Sequence, residues 1–290
     1  MSALFRVIKT GVRLSGFLSL TLVLGPLQFL VMLAAPRFWH VIPMLYHRGL
    51  IWMLGVTVRR HGAVPPAGAL LASNHVSWFD IVAVGAQMPV SFVAKHEVKT
   101  WPLFGQLANL QRTIYINRAR GRHTLDNRDT MKERLVAGGR LVLFAEGTTG
   151  DGSGAQPFKS ALFSSVQRAR DTDPKIVVHP MTISYTALGE RVMTQTERDQ
   201  YAWLGDAALV PHLLFTLGSP PFTVDIVFHD ALPANVMHDR KAIARRAQDT
   251  VDAALIALTS GEMPQTVVPE AHVPADASWT RHRKAAKPSP

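Results

Sequence analysis

The chain contains no cysteine. That absence excludes disulfides, thiolate catalysis and cysteine-ligated metal sites. Charge is also scarce: Asp, Glu, Lys and Arg make up 18% of 290 residues, where soluble domains usually carry about a quarter. Acidic side chains are the scarcer sign, 21 against 31 basic ones, and the formal net charge is +10. A cationic surface of this kind favours anionic partners such as lipid head groups, phosphorylated substrates or nucleic acid. The familiar hydrolase signatures are missing too. Gly152-Ser153-Gly154 lacks the spacing of a nucleophile elbow, and His96-Glu97-Val98-Lys99-Thr100 lacks the second histidine of a zinc protease helix. His179 and His212 flank apolar runs and read as structural rather than metal-ligating, so no metal is expected. No internal repeat is present.

What the chain does have is apolar length at its N-terminus. Residues 14–35 carry no charge. As a helix they would extend about 33 Å, enough for a bilayer core. Arg6, Lys9 and Arg13 precede the stretch, and Arg37 follows it. Gly25-Pro26 in its middle predicts a kink or break. Residues 38–57 are apolar as well, but Arg48 within them makes an interfacial helix cheaper than a spanning one. Two arrangements fit: a spanning helix followed by an interfacial one, or a pair inserted from one side.

From about residue 58 short apolar runs alternate with helical patterns. Strands are expected at Ala69–Ser73, Ser91–Ala94, Thr113–Ile116, Leu141–Phe144, Ile176–Tyr185 and Thr223–Phe228. Helices are expected near 78–87, 122–137, 157–170 and 238–260, the second stopped by Gly138-Gly139. This alternation predicts an α/β fold. The domain reading is 1–57 membrane-anchoring helices, 58–262 catalytic domain and 263–290 a disordered basic tail.

The chemistry concentrates at Asn74-His75-Val76-Ser77-Trp78-Phe79-Asp80. In a straight helix His75 and Asp80 would point about 140° apart. They meet only if His75 lies on the turn before a helix and Asp80 reaches back from its first turn. Ser77-x-x-Asp80 also fits a capping box, which would make Asp80 purely structural. Residues alone leave both readings open.

The segment Asn74-His75-x-Ser77-x-x-Asp80 resembles the first motif of the glycerolipid acyltransferases, the lysophosphatidate acyltransferases and their relatives. Three further stretches follow in the family's order. Tyr115-Ile116-Asn117-Arg118 is similar to the second motif, Phe144-Ala145-Glu146-Gly147-Thr148 to the third, and Val178-His179-Pro180-Met181 to the weaker fourth. The resemblance covers about residues 58–230. Two departures stand out: Ala145 replaces the usual proline, and Thr149 stands where the family commonly has arginine.

The resemblance implies a central mixed sheet flanked by helices, preceded by N-terminal membrane helices. It implies a catalytic His75 and Asp80, supported by Asn74 and Ser77. His75 would take the proton of the acceptor hydroxyl, and Asp80 would fix its tautomer. Arg118, Glu146, Gly147, Thr148 and Lys159 would bind substrate. Arg118 would grip a lysolipid phosphate, and Lys159 is a further phosphate candidate. The expected partners are a lysolipid acceptor, acyl-CoA or acyl carrier protein as donor, and membrane lipids, with no cofactor and no nucleic acid. The expected place is the cytoplasmic face of a bacterial inner membrane. Lysophosphatidate is the first expected acceptor and lyso-ornithine lipid the alternative; Trp203-x-Gly205 and Pro211-His212 resemble a bacterial subgroup in which both occur. A basic membrane-binding protein without catalysis is the competing class.

Overall fold

The computed structural model describes residues 3–116, 123–205 and 207–262, with backbone alone at 123–129. Arg118 and the 263–290 tail lie outside the described residues. In chain order the elements are α1 (Ala3–Ala34), α2 (Val41–Leu54), β1 (Thr57–His61), β2 (Leu70–Ser73), α3 (Phe79–Gly85), β3 (Ser91–Lys95), α4 (Phe104–Leu110), β4 (Ile114–Ile116), α5 (His123–Val136), β5 (Leu141–Phe144), α6 (Ser164–Thr172), β6 (Val178–Leu188), β7 (Arg191–Val192), α7 (Gln195–Tyr201), α8 (Leu209–Gly218), β8 (Phe222–Phe228) and α9 (Arg240–Thr259).

The strands form one mixed sheet in the order β1-β8-β6-β2-β5-β3-β4, with β7 paired to β6. β6 runs antiparallel to β8 and β7; the other pairs are parallel. The central strands β2, β5 and β8 are buried along their whole length, as expected of strands covered on both faces. One apolar cluster joins α2, α3 and α8 to one face, including Phe79, Phe92, Tyr185 and Phe222. The other packs α5, α6 and α9 against the opposite face through Leu70, Leu141, Phe163 and Val251. Gly138, at φ +80°, ends α5.

β1 is an edge strand with an unusual anchor. Arg59 donates two bonds to the buried Asp225 of β8, at 2.9 and 2.7 Å, and His61 Nε2 lies 2.6 Å from the same carboxylate. Thr186 donates to it as well. Burial pushes the Asp225 carboxyl up, but these bonds outweigh it and hold the group below the ordinary carboxylate range.

The N-terminal helices form a close pair. Thr21 Oγ1 and Tyr46 Oη are 2.9 Å apart across α1 and α2, and Gly49 of α2 faces Leu20 of α1. α1 is long and apolar enough to cross a membrane by length and composition. Of the kink or break expected at Gly25-Pro26, the break does not occur: the helix is continuous from Ala3 to Ala34. Proline removes one N–H from the ladder, and the turns on either side are held by other contacts. Thr21 meets α2, while Gln28 donates to Trp39 O at 2.7 Å and Leu110 O at 2.9 Å.

The helix expected at 157–170 begins later: Pro157 stays outside, a 3-10 turn covers Ser160–Phe163, and α6 follows.

Candidate active site

β2 and β5 are parallel neighbours with Ser73 level with Phe144. Their carboxyl ends therefore release Asn74-His75 and Ala145-Glu146 side by side, at the edge where open α/β sheets place ligands. Asn74 locks the turn: its Nδ2 donates to Ile183 O and its Oδ1 accepts from Ile183 N, both at 2.9 Å. The role is to tie the end of β2 to β6.

His75 sits on the turn and Asp80 on the first turn of α3, the arrangement the spacing demanded. His75 Nδ1 is 2.7 Å from Asp80 Oδ2. The same oxygen accepts the backbone N–H groups of Val76 at 2.7 Å and Ser77 at 3.0 Å. Asp80 Oδ1 accepts from the Tyr185 hydroxyl at 2.9 Å. Asp80 is fully buried, and with four donors the carboxylate is fully engaged. The capping-box reading is half met. Asp80 accepts from Ser77 N, yet the N-cap position of α3 is Trp78, without a side-chain cap. One carboxylate thus braces the turn and holds the imidazole.

The His75 ring lies flat on Phe144, with centroids 3.8 Å apart and planes 10° apart. In a neutral imidazole whose Nδ1–H faces Asp80, Nε2 carries the lone pair. Among the described residues no group bonds Nε2, and the side chain stays 15% exposed. A partly open, oriented imidazole can take a proton from a hydroxyl placed against it.

Tyr185 was not picked out from the sequence as a site residue. It is fully buried, and burial, with the Asp80 charge beside it, pushes its phenol well above the usual range. It therefore remains a donor to Asp80. Its place in an apolar strand gave no signal of that role.

Glu146 is also buried, at 2% exposure. Its Oε2 accepts from His75 N at 3.1 Å and its Oε1 from Gln156 N at 2.9 Å. It bridges the His75 turn and the 147–156 loop, so any contact with an acceptor must compete with these two bonds. Its carboxyl is pushed up to about 8: burial raises it most, the two backbone bonds lower it, and Asp80 and Asp151 raise it further. A raised carboxyl means that folding favours the protonated form. The stability contribution is full below the unfolded value near 4.5 and is lost as pH rises through about 8. The melting temperature of wild type minus that of Glu146→Gln should therefore fall as pH rises over this window and level off above it. A difference that stays constant from pH 5 to 9 would contradict the assignment.

Gly147 adopts φ +72°, which suits glycine, and makes the turn Gly147 N to Phe144 O. Thr148 is half-buried beside it. Thr149 is buried and donates to Trp203 O. Its hydroxyl proton is therefore already committed to that carbonyl. Lys159 is exposed beyond the loop, with its N–H on Ala145 O at 2.8 Å. Arg118 follows β4 outside the described residues, so its distance from His75 is not defined. Among the described residues no cluster of His, Asp and Glu is arranged to hold a metal.

The family model Acyltransferase matches residues 55–184. A lyso-ornithine lipid O-acyltransferase of Brucella abortus is 37% identical over 255 residues, 87% of this chain and 96% of its own length. The chain belongs to the glycerolipid acyltransferase family. Another lyso-ornithine lipid O-acyltransferase, from Rhizobium meliloti, is 40% identical and covers 78% of both chains. A 1-acyl-sn-glycerol-3-phosphate acyltransferase of Neisseria gonorrhoeae is 33% identical over 69% of this chain and 74% of its own. The fold is shared with the 1-acyl-sn-glycerophosphate acyltransferase of Thermotoga maritima, with TM-score 0.51 and 13% identity over 84% of this chain and 96% of that one. As an acyltransferase of this family the chain uses an acyl donor and a lysolipid acceptor.

Proposed function

We propose that this acyltransferase moves a fatty acyl chain from acyl carrier protein or acyl-CoA to the free hydroxyl of lyso-ornithine lipid. The His75–Asp80 pair, with Nε2 unbonded among the described residues, carries the chemistry. The acceptor hydroxyl oxygen attacks the thioester carbonyl carbon while its proton passes to His75 Nε2. The tetrahedral oxyanion collapses, the C–S bond breaks, and the imidazolium returns the proton to the leaving thiolate. Asp80 holds the tautomer and offsets the transient positive charge. Tyr185, Glu146 and Asn74 hold that pair in position. No enzyme nucleophile, metal or cofactor enters this scheme.

Two observations favour the zwitterionic acceptor over lysophosphatidate, the first choice from sequence. The Brucella and Rhizobium relatives named for lyso-ornithine lipid match at 37% and 40% identity over 87% and 78% of the chain, against 33% over 69% for the Neisseria gonorrhoeae relative named for the glycerophosphate. In addition, Thr149 places a buried, already bonded hydroxyl where the family commonly has a guanidinium. Losing one charge-assisted donor to a phosphomonoester costs roughly 1.5–3 kcal/mol, about 10- to 150-fold in binding. We expect kcat/KM for lyso-ornithine lipid to exceed that for lysophosphatidate by about tenfold or more on the same grounds. A ratio favouring lysophosphatidate would return the assignment to the glycerophosphate acceptor and leave the acyl-transfer chemistry intact.

A further inference from the structure

Residues 207–224, Ala-Ala-Leu-Val-Pro-His-Leu-Leu-Phe-Thr-Leu-Gly-Ser-Pro-Pro-Phe-Thr-Val, contain no Asp, Glu, Lys or Arg. Most of this stretch is α8. Its inner face is buried: Leu213, Thr216 and Leu217 pack into the domain. Its outer face is not. Val210 is 57% exposed, Leu214 and Phe215 are each 38% exposed, and Leu204 just before the helix is 42% exposed. Val210 and Leu214, four apart, share one helical face, while Phe215 lies about 100° further round and its ring sits 5.6 Å from that of Tyr201. No charged side chain of the helix interrupts it.

α8 also lies directly against α1. Lys9 Nζ donates to Ser219 O at 2.8 Å. Arg13 Nη1 donates to Leu217 O and Ser219 O, both at 3.0 Å, and its Nη2 to Leu54 O at 2.6 Å. These carbonyls close the C-terminal ends of α8 and α2, where the helix dipole favours a cation. Two of the basic residues preceding the apolar stretch of α1 are therefore occupied in docking α1 to α8. The exposed apolar side chains Phe5, Ile8 and Val12 of α1 line a hollow with Trp52 and Met53 of α2, while Arg6 and Thr10 of α1 face Gly218 of α8.

We infer that α8 is a second membrane-docking element, which lays Val210 and Leu214 into the acyl region of the bilayer beside α1. Membrane contact then reaches the catalytic domain itself instead of ending with residues 1–57. It also reaches the site. Trp78, in the His75–Asp80 loop, donates through Nε1 to His212 Nδ1 of α8 at 3.0 Å. Trp203, which leads into α8, donates its N–H to Val76 O at 2.9 Å. The bilayer surface and the turn that carries His75 are thus held in fixed relation through two hydrogen bonds. For a lipid acceptor this places the reacting hydroxyl close to the interface from which it comes.

The absence of cysteine makes a direct test available. Leu214→Cys and, separately, Val210→Cys carry an environment-sensitive fluorophore in the full-length protein, with Lys175→Cys on an exposed loop as control. Each is mixed with vesicles of phosphatidylcholine and phosphatidylglycerol at high salt, which screens the net positive charge. Flotation reports binding separately. The expected result is that labels at Leu214 and Val210 shift to the blue and are quenched by nitroxides on the acyl chains, while the label at Lys175 does neither. Protein that floats with the vesicles while both α8 labels keep their aqueous emission would overturn the docking of α8 and leave that of α1 standing. Protein that does not float would overturn both.

Discussion

Replacing His75 by alanine should lower kcat for acyl transfer by about 10²–10⁴-fold, the usual contribution of a positioned general base, while the melting temperature stays close to that of wild type. The expectation rests on how little of the ring is structural. One nitrogen bonds Asp80, the other is free among the described residues, and one face covers Phe144. The turn itself is held through the backbone by Asn74, Glu146 and the N–H groups on Asp80. Steady-state kinetics with a thermal unfolding scan on the same preparation separates the two quantities. A folded His75→Ala protein with near-normal kcat would remove His75 from the chemistry.

Asp80→Asn should do more damage, and to both quantities. An asparagine turns one acceptor oxygen into a donor. Four donors converge on the buried carboxylate: His75 Nδ1, Val76 N, Ser77 N and Tyr185 Oη. With its amide turned to the Tyr185 hydroxyl, which would then have to accept, the side chain offers the other three donors a neutral oxygen in place of a carboxylate, and bonds to a charged group are worth about 1.5–3 kcal/mol. The imidazole would also lose the partner that selects its tautomer. We expect kcat to fall by about 10²-fold or more and the melting temperature to drop by several degrees. A lower melting temperature with kcat intact would reduce Asp80 to a helix-start brace. A lower kcat with unchanged melting temperature would show that the backbone bonds to Asp80 add little.

Which parts of this arrangement the sequence disclosed follows from where the information lies. The buried strands were legible because β2, β5 and β8 are short apolar runs closed by turn residues. The His75–Asp80 geometry was legible because the five-residue spacing permits one kind of turn. β1 was missed. Thr57-Val58-Arg59-Arg60-His61 is polar for a strand, and its stability comes from Asp225, far away in the chain. α8 was missed because Pro211 and His212 interrupt an apolar run that reads as a strand flank, although Pro211 falls in the first turn, where proline is tolerated. The bracing contacts of Glu146 and Tyr185 were not readable, since they depend on strand register: Ser73 level with Phe144 and with Met181. The fate of Pro26 depended likewise on contacts from α2 and α4 that hold the turns around it.

The most direct measurement is product stoichiometry. Purified protein is given lyso-ornithine lipid and a fatty acyl thioester of acyl carrier protein; released thiol is titrated, and the lipid is weighed by mass spectrometry. We predict one O-acylated ornithine lipid for each thiol released, with both signals lost in His75→Ala. Thiol release without an acylated lipid would make the protein a thioesterase, and the absence of both with wild type would contradict the assignment.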